Sequence, residues 1–123
     1  MAPSEPPKQF RHLGGLPLLG WSVRLLAEAG CDPVIAVVPE GSWTDQLSGY
    51  DVRIALGGEH RQKSVANGLK LVDTPRVVIH DAARPFATPA MVHDVLDALE
   101  EAHAAAVAVP VSDTLKEARD GKV

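Results

Sequence analysis

Apolar positions along this chain follow two rhythms, one helical and one of short unbroken runs. Between residues 17 and 29, Leu18, Leu19, Val23 and Leu26 fall on one side of a helix, with Trp21 and Leu25 beside them. Pro17 suits the first helical position of that segment and Gly30 suits its C-terminal cap. Residues 34–38 form a short apolar run closed by Pro39, the pattern of a strand buried on both faces in a parallel sheet. Residues 39–50 are polar and turn-rich, with room for one helical turn around residues 44–47. A second strand is predicted over residues 52–56, ended by Gly57 and Gly58.

The helical rhythm returns over residues 61–72, where Val65, Leu69 and Val72 make one stripe. A third strand is predicted over residues 77–79, ending at His80 and Asp81. Thr88 has the chemistry of an N-cap and Pro89 that of a first helical residue, followed by the stripe Met91, Val92, Val95, Leu96 and Leu99. A fourth strand is predicted over residues 105–109, closed by Pro110. Residues 1–16 are expected to be irregular, ending in the turn Gly14-Gly15. The alternation predicts an α/β fold: a three-layer sandwich around a mostly parallel sheet. Ligands of such sheets bind outside the carboxyl ends of the strands. Gly57-Gly58, Asp81, and Asp113-Thr114 all follow predicted strands.

Composition narrows the picture without redirecting it. The 123 residues carry 12 Lys plus Arg against 16 Asp plus Glu, a net charge of −4, which argues against a nucleic-acid coat. Aromatic residues make up 4%, so the core must be built from Val, Leu, Ile and Ala. The single cysteine, Cys31, excludes an internal disulfide and leads us to expect a reducing compartment. The N-terminal residues lack a signal-peptide pattern, and the longest apolar stretch, residues 104–111, is far short of the ~20 residues of a membrane helix. A soluble cytoplasmic protein with no membrane or nucleic-acid partner is the expectation.

Three stretches carry chemistry. In residues 57–65, two glycines at a strand end permit positive φ and close ligand approach, Arg61 and Lys63 bring positive charge to a helix N-terminus, and Ser64 offers a hydroxyl. That arrangement suits phosphate, and taken alone it fits an ordinary strand–turn–helix with a solvated charged face slightly better. In residues 80–85, Asp81 at a strand end suits Mg²⁺, and Arg84 suits a phosphate; a capping Asp81 paired with Arg84 is the simpler alternative. Lys8, in a proline-stiffened loop, suits a triphosphate, and an exposed tail is the alternative. His12, His60, His93 and His103 show no metal spacing, and His93 and His103 are expected to be solvated.

Taken together and in order, PKQF at 7–10, LGGLPLL at 13–19, GGEHRQKSVANGL at 57–69, HDAARPF at 80–86 and PVSDTLK at 110–116 resemble the 2-C-methyl-D-erythritol 4-phosphate cytidylyltransferases. The resemblance runs over essentially the whole chain. It implies transfer of CMP from CTP to a sugar-alcohol phosphate with release of pyrophosphate, dependent on Mg²⁺, a step towards isoprenoid precursors. It implies that Lys8 neutralises the CTP phosphates in the transition state. It places Gly57, Gly58, Glu59 and Ser64 around cytosine and ribose, with Arg61 supporting that loop. It makes Asp81 the Mg²⁺ ligand close to the acceptor, Arg84 an acceptor-side arginine, and Thr114 an acceptor contact made across a homodimer interface. The ribitol-5-phosphate cytidylyltransferases carry similar motifs and are the alternative within the same chemistry.

The chain departs from the family pattern at both ends. Nothing before Lys8 has the form of the family's opening strand and A-A-G-x-G-x-R-M loop, Met1 falling about where that methionine would be, and Gly121-Lys122-Val123 fall where the family's dimerising arm begins. The expectation is a partial nucleotidyltransferase domain over residues 1–123 whose sheet lacks its first strand. Unpaired backbone groups beside a vacant central strand cost about 1–3 kcal/mol each when buried, against the ~5–15 kcal/mol a domain holds in reserve. Little or no activity is therefore expected of these 123 residues alone, and a non-catalytic nucleotide-binding fragment is the alternative from a different functional class.

Overall fold

The computed structural model describes residues 5–41, 45 and 47–120. It is an α/β structure in which the N-terminal half carries the ladders. The predicted turn around residues 44–47 lies partly outside the described residues. A 3-10 turn, Lys8–Phe10, buries Phe10 and leads into a short antiparallel hairpin of β1 (His12–Leu13) and β2 (Leu16–Pro17). Residues 8–16, within the segment expected to be irregular, thus carry a turn and most of a hairpin. Gly14 and Gly15 supply φ of 58° and 90°, the paired positive values that a two-residue hairpin turn requires.

Helix α1 (Leu18–Glu28) follows at once and buries Leu19, Val23 and Leu25. Pro17 is its N-cap rather than its first helical residue, because the ring ends β2 in extended geometry. The helix stops where Gly30 adopts φ of 81°; Gly30 N–H donates to Ala27 C=O and Cys31 N–H to Leu26 C=O, the two bonds of a Schellman cap. Strand β3 (Ile35–Val38) then pairs in parallel with β4 (Arg53–Leu56), Ile35 opposite Arg53 and Val38 opposite Leu56. Helix α2 (Arg61–Leu69) packs on both strands. Its approach is close: a Cβ on Gly68 would lie 2.8 Å from Val37 Cγ2, so only glycine fits there without displacement. Asn67 Nδ2 donates to Leu56 C=O at 3.0 Å and ties the helix to the end of β4.

Helix α3 (Pro89–Ala98) forms as expected, with Thr88 Oγ1 accepting from Met91 N–H at 3.3 Å and Pro89 in the first turn. Val92 is its buried residue, packed with Leu25 and Ala29 of the α1 end. His93 is not simply solvated: its Nε2 lies 3.1 Å from Ala29 C=O, at the C-terminus of α1.

Two expected strands do not form. Residues 77–79 and 105–109 belong to neither sheet. A strand is held by the groups it exchanges with a neighbour, and no described strand lies beside either run. The sheet is therefore a parallel pair rather than four strands, and residues 101–120 are exposed throughout. The core splits into two clusters. Phe10, Leu19, Ala36, Val38 and Leu47 form one, with Ala82 packed against it, and Leu25, Ala29 and Val92 form the other.

Candidate functional site

A groove of about 600 Å³ runs along β3, lined there by Ile35, Ala36 and Val37. α1 contributes Leu19, Val23 and Leu26 to its walls, and α2 contributes Val65 and Leu69. Its polar groups include Gln9, Arg61, Ser64, His80 and Asp81.

The loop after β4 is built by its own hydrogen bonds. Gly57 N–H donates to Val38 C=O at 2.8 Å, carrying the ladder one residue past the strand. Gly58 N–H donates to Ser64 Oγ at 3.0 Å, and the same hydroxyl lies 3.2 Å from His60 C=O, to which it donates. Ser64 therefore closes the loop with both its donor and one acceptor position, rather than standing free for a ligand. The glycines also differ from expectation, since neither Gly57 nor Gly58 has positive φ. What they supply is space: a Cβ on Gly58 would run into the Lys63 side chain, and one on Gly57 would meet Ser64 Oγ at 3.4 Å. Glu59 is exposed on this loop.

Arg61, the first residue of α2, reaches across to the turn at residues 81–84. Its Nη1 lies 3.6 Å from Asp81 Oδ2, and Arg84 Nε lies 4.0 Å from the same oxygen. The other carboxylate oxygen, Oδ1, accepts from Ala83 N–H at 3.1 Å, while Arg84 N–H donates to Asp81 C=O at 2.9 Å. The capping role and the ion pair expected as alternatives to ligand binding thus both exist. Both guanidinium groups remain largely exposed, at 74% and 80%. Exposed pairs of this kind hold by about 1 kcal/mol or less, so an incoming phosphate competes for them readily.

His80 is a site neighbour that spacing alone did not single out. Burial pushes its pKa below the usual 6.5, against the opposing pull of the Arg84 backbone and the Asp81 charge. Its Nε2 is buried with no hydrogen-bond partner among the described residues. The available signal was its position directly before Asp81 at a predicted strand end.

The remaining predicted residues are not drawn into this cluster. Lys8 is exposed in the 3-10 turn, where its neighbour Gln9, not Lys8 itself, lines the groove. Thr114 lies in the exposed stretch 101–120, away from any described ladder.

As a cation site, the donor set is one hard oxygen group. Among the described residues no cluster of three or more His, Cys, Asp or Glu could hold an ion unaided. Asp81, with its carboxylate 36% exposed, fits Mg²⁺ in the way that ion is commonly held, by one carboxylate together with substrate phosphates.

Known proteins resemble this chain in sequence and fold. Residues 2–123 match the family model for 2-C-methyl-D-erythritol 4-phosphate cytidylyltransferase, IspD. The cytidylyltransferase of that name from Chlamydia pneumoniae is 40% identical over 114 residues, covering 93% of this chain and 54% of the relative. Its counterpart from Deinococcus radiodurans is 43% identical over 109 residues, covering 89% of this chain and 46% of the relative. The chain spans about half the length of these curated relatives. The crystal structure of the same enzyme from Thermus thermophilus superposes with a TM-score of 0.80 at 35% identity, covering 90% of this chain and 53% of that one.

Proposed function

The chain belongs to the 2-C-methyl-D-erythritol 4-phosphate cytidylyltransferase family, and from that premise we propose that the whole protein transfers CMP from CTP to 2-C-methyl-D-erythritol 4-phosphate. A phosphate oxygen of the acceptor attacks the α-phosphorus of CTP. A new P–O bond forms as the bond to the β-phosphate oxygen breaks, and pyrophosphate leaves. The observation that supports this reading best is the convergence of Arg61 and Arg84 on Asp81 beside the Gly57-Gly58 loop.

The reaction requires neither a nucleophilic side chain nor a general base. The attacking phosphate is ionised at neutral pH, so catalysis rests on positioning and on positive charge where negative charge builds up. Lys8 and Arg61 supply that charge on the nucleotide side, and Arg84 supplies it on the acceptor side. Gly57, Gly58 and Glu59 form the nucleotide loop, which Ser64 holds shut. Asp81 holds Mg²⁺ together with the triphosphate, where the ion offsets phosphate charge. Thr114 contacts the acceptor across a homodimer, and the enzyme works in the cytoplasm.

The test is pyrophosphate release by the purified whole protein, supplied with CTP, Mg²⁺ and either methylerythritol phosphate or ribitol phosphate. Release with the first acceptor, weaker release with the second, and a loss of about 100-fold or more in Asp81→Asn are expected. A folded protein that releases pyrophosphate with neither acceptor refutes the reading.

A further inference from the structure

Ser22 is the one buried polar side chain among the described residues, at 4% exposure. It sits in the middle of α1 between the buried Leu19, Val23 and Leu25. A hydroxyl in that setting is costly unless it is hydrogen-bonded. Its first acceptor is local: Oγ lies 3.3 Å from Leu18 C=O, one helical turn earlier. That bond suffices for a serine inside a helix.

The second acceptor is not local. Ser22 Oγ lies 3.5 Å from Ala82 C=O, 60 residues along the chain. Both distances are longer than a typical O–H···O bond. Ala82 is the residue directly after Asp81, and its side chain packs against the cluster of Phe10, Leu19 and Val38. The bonds within the turn, Ala83 N–H to Asp81 Oδ1 and Arg84 N–H to Asp81 C=O, fix its shape. They do nothing to fix where the turn sits against the helix layer. That task falls to Ala82, with its methyl in the core and its carbonyl on Ser22.

We propose that Ser22 is a positioning residue: its buried hydroxyl docks the 81–84 turn onto α1 and so sets where Asp81 and Arg84 stand against Arg61. The proposal rests on the cytidylyl-transfer reading only for the function that this placement serves. The docking itself can be measured without turnover.

The decisive experiment is hydrogen–deuterium exchange of the whole protein as native, Ser22→Ala and Ser22→Thr. In Ser22→Ala, exchange over residues 80–86 should quicken by up to about tenfold, the worth of one hydrogen bond, while residues 61–69 stay unchanged. Ser22→Thr, which keeps the hydroxyl, should return residues 80–86 to the native rate. In parallel, the transfer assay should show the KM for the acceptor phosphate rising several-fold in Ser22→Ala. Unchanged exchange at residues 80–86 in Ser22→Ala overturns the proposal. So does equal quickening at residues 61–69, which marks general loosening, and so does failure of Ser22→Thr to restore the rate. A native protein without transfer activity whose 80–86 segment still responds as stated refutes the functional reading and leaves the docking role standing.

Discussion

Residues 35–38 and residues 105–109 are both short, β-branched and alanine-rich apolar runs, and they meet opposite fates. Val38 in the first is 1% exposed and paired with Leu56 across a parallel ladder. Val109 in the second is 83% exposed and belongs to no sheet. Side-chain character does not separate them. The difference is a neighbour: β3 has β4 beside it and α2 packed across both, whereas no described strand lies next to residues 105–109. Residues 77–79 fall between these extremes, with Val78 tucked against the Leu25 and Val92 cluster while Ile79 is 58% exposed. An apolar run is thus a capacity for strand formation, realised only where another backbone completes the hydrogen bonds.

The contrast can be broken by placing the same charge in both runs. Val38→Asp buries a carboxylate with no partner and should cost about 4 kcal/mol or more, enough to abolish a cooperative urea transition. Val109→Asp, already in water, should shift the same transition by about 0.5 kcal/mol or less. Similar losses in the two variants would mean that residues 105–109 are buried in solution. A middle-sized effect belongs to α3, which lies in the half without ladders yet is properly capped. Thr88→Ala removes the bond to Met91 N–H and should cost about 1 kcal/mol, read as a lowered urea midpoint and restored by Thr88→Ser. An unaltered midpoint would show that α3 is held by packing alone.

The smallest expected effect concerns His80, a half-buried residue whose Nε2 is enclosed. Its folded pKa lies below 6.5 because burial disfavours the imidazolium. As pH falls through about 6.5, the unfolded chain takes up the proton before the folded one does. Stability contributed by the neutral ring is therefore complete above that pH. It declines below it, and levels off under the folded pKa. Urea midpoints at pH 7.5 and 5.5 should differ more for the native protein than for His80→Gln; equal differences would remove His80 as the source.

Much of the helical half was legible because its signals are local. Pro17, Gly30, Thr88 and Pro89 mark helix ends through their own backbone preferences, and the observed ends of α1 and α3 lie within a residue or so of those marks. The two expected strands that do not form depended on partners, which no pattern within residues 77–79 or 105–109 can report. The hairpin at residues 12–17 was missed although Gly14-Gly15 between Leu13 and Leu16 is a hairpin signal, because each strand has only two residues and Pro17 obscured the alternation. At the site, Gly57, Gly58, Arg61, Asp81 and Arg84 stood out by residue type and order. Ser22, Asn67 and His80 did not, because each matters through a bond to a residue that is distant in sequence or through burial. Ser64 was legible as a residue and not as a role, since its hydroxyl turned inward to Gly58 and His60.

The close seat of Gly68 on Val37 makes α2 a lever. The helix pivots where it touches the sheet, and Arg61 stands at the far end, seven residues and about 10 Å away along the axis. A methyl added at the pivot would lift the helix from β3 by a few tenths of an ångström, and the rigid rod would carry that tilt to the guanidinium facing Asp81. Reach at the Arg61 end is therefore calibrated at the opposite end, by the absence of a side chain.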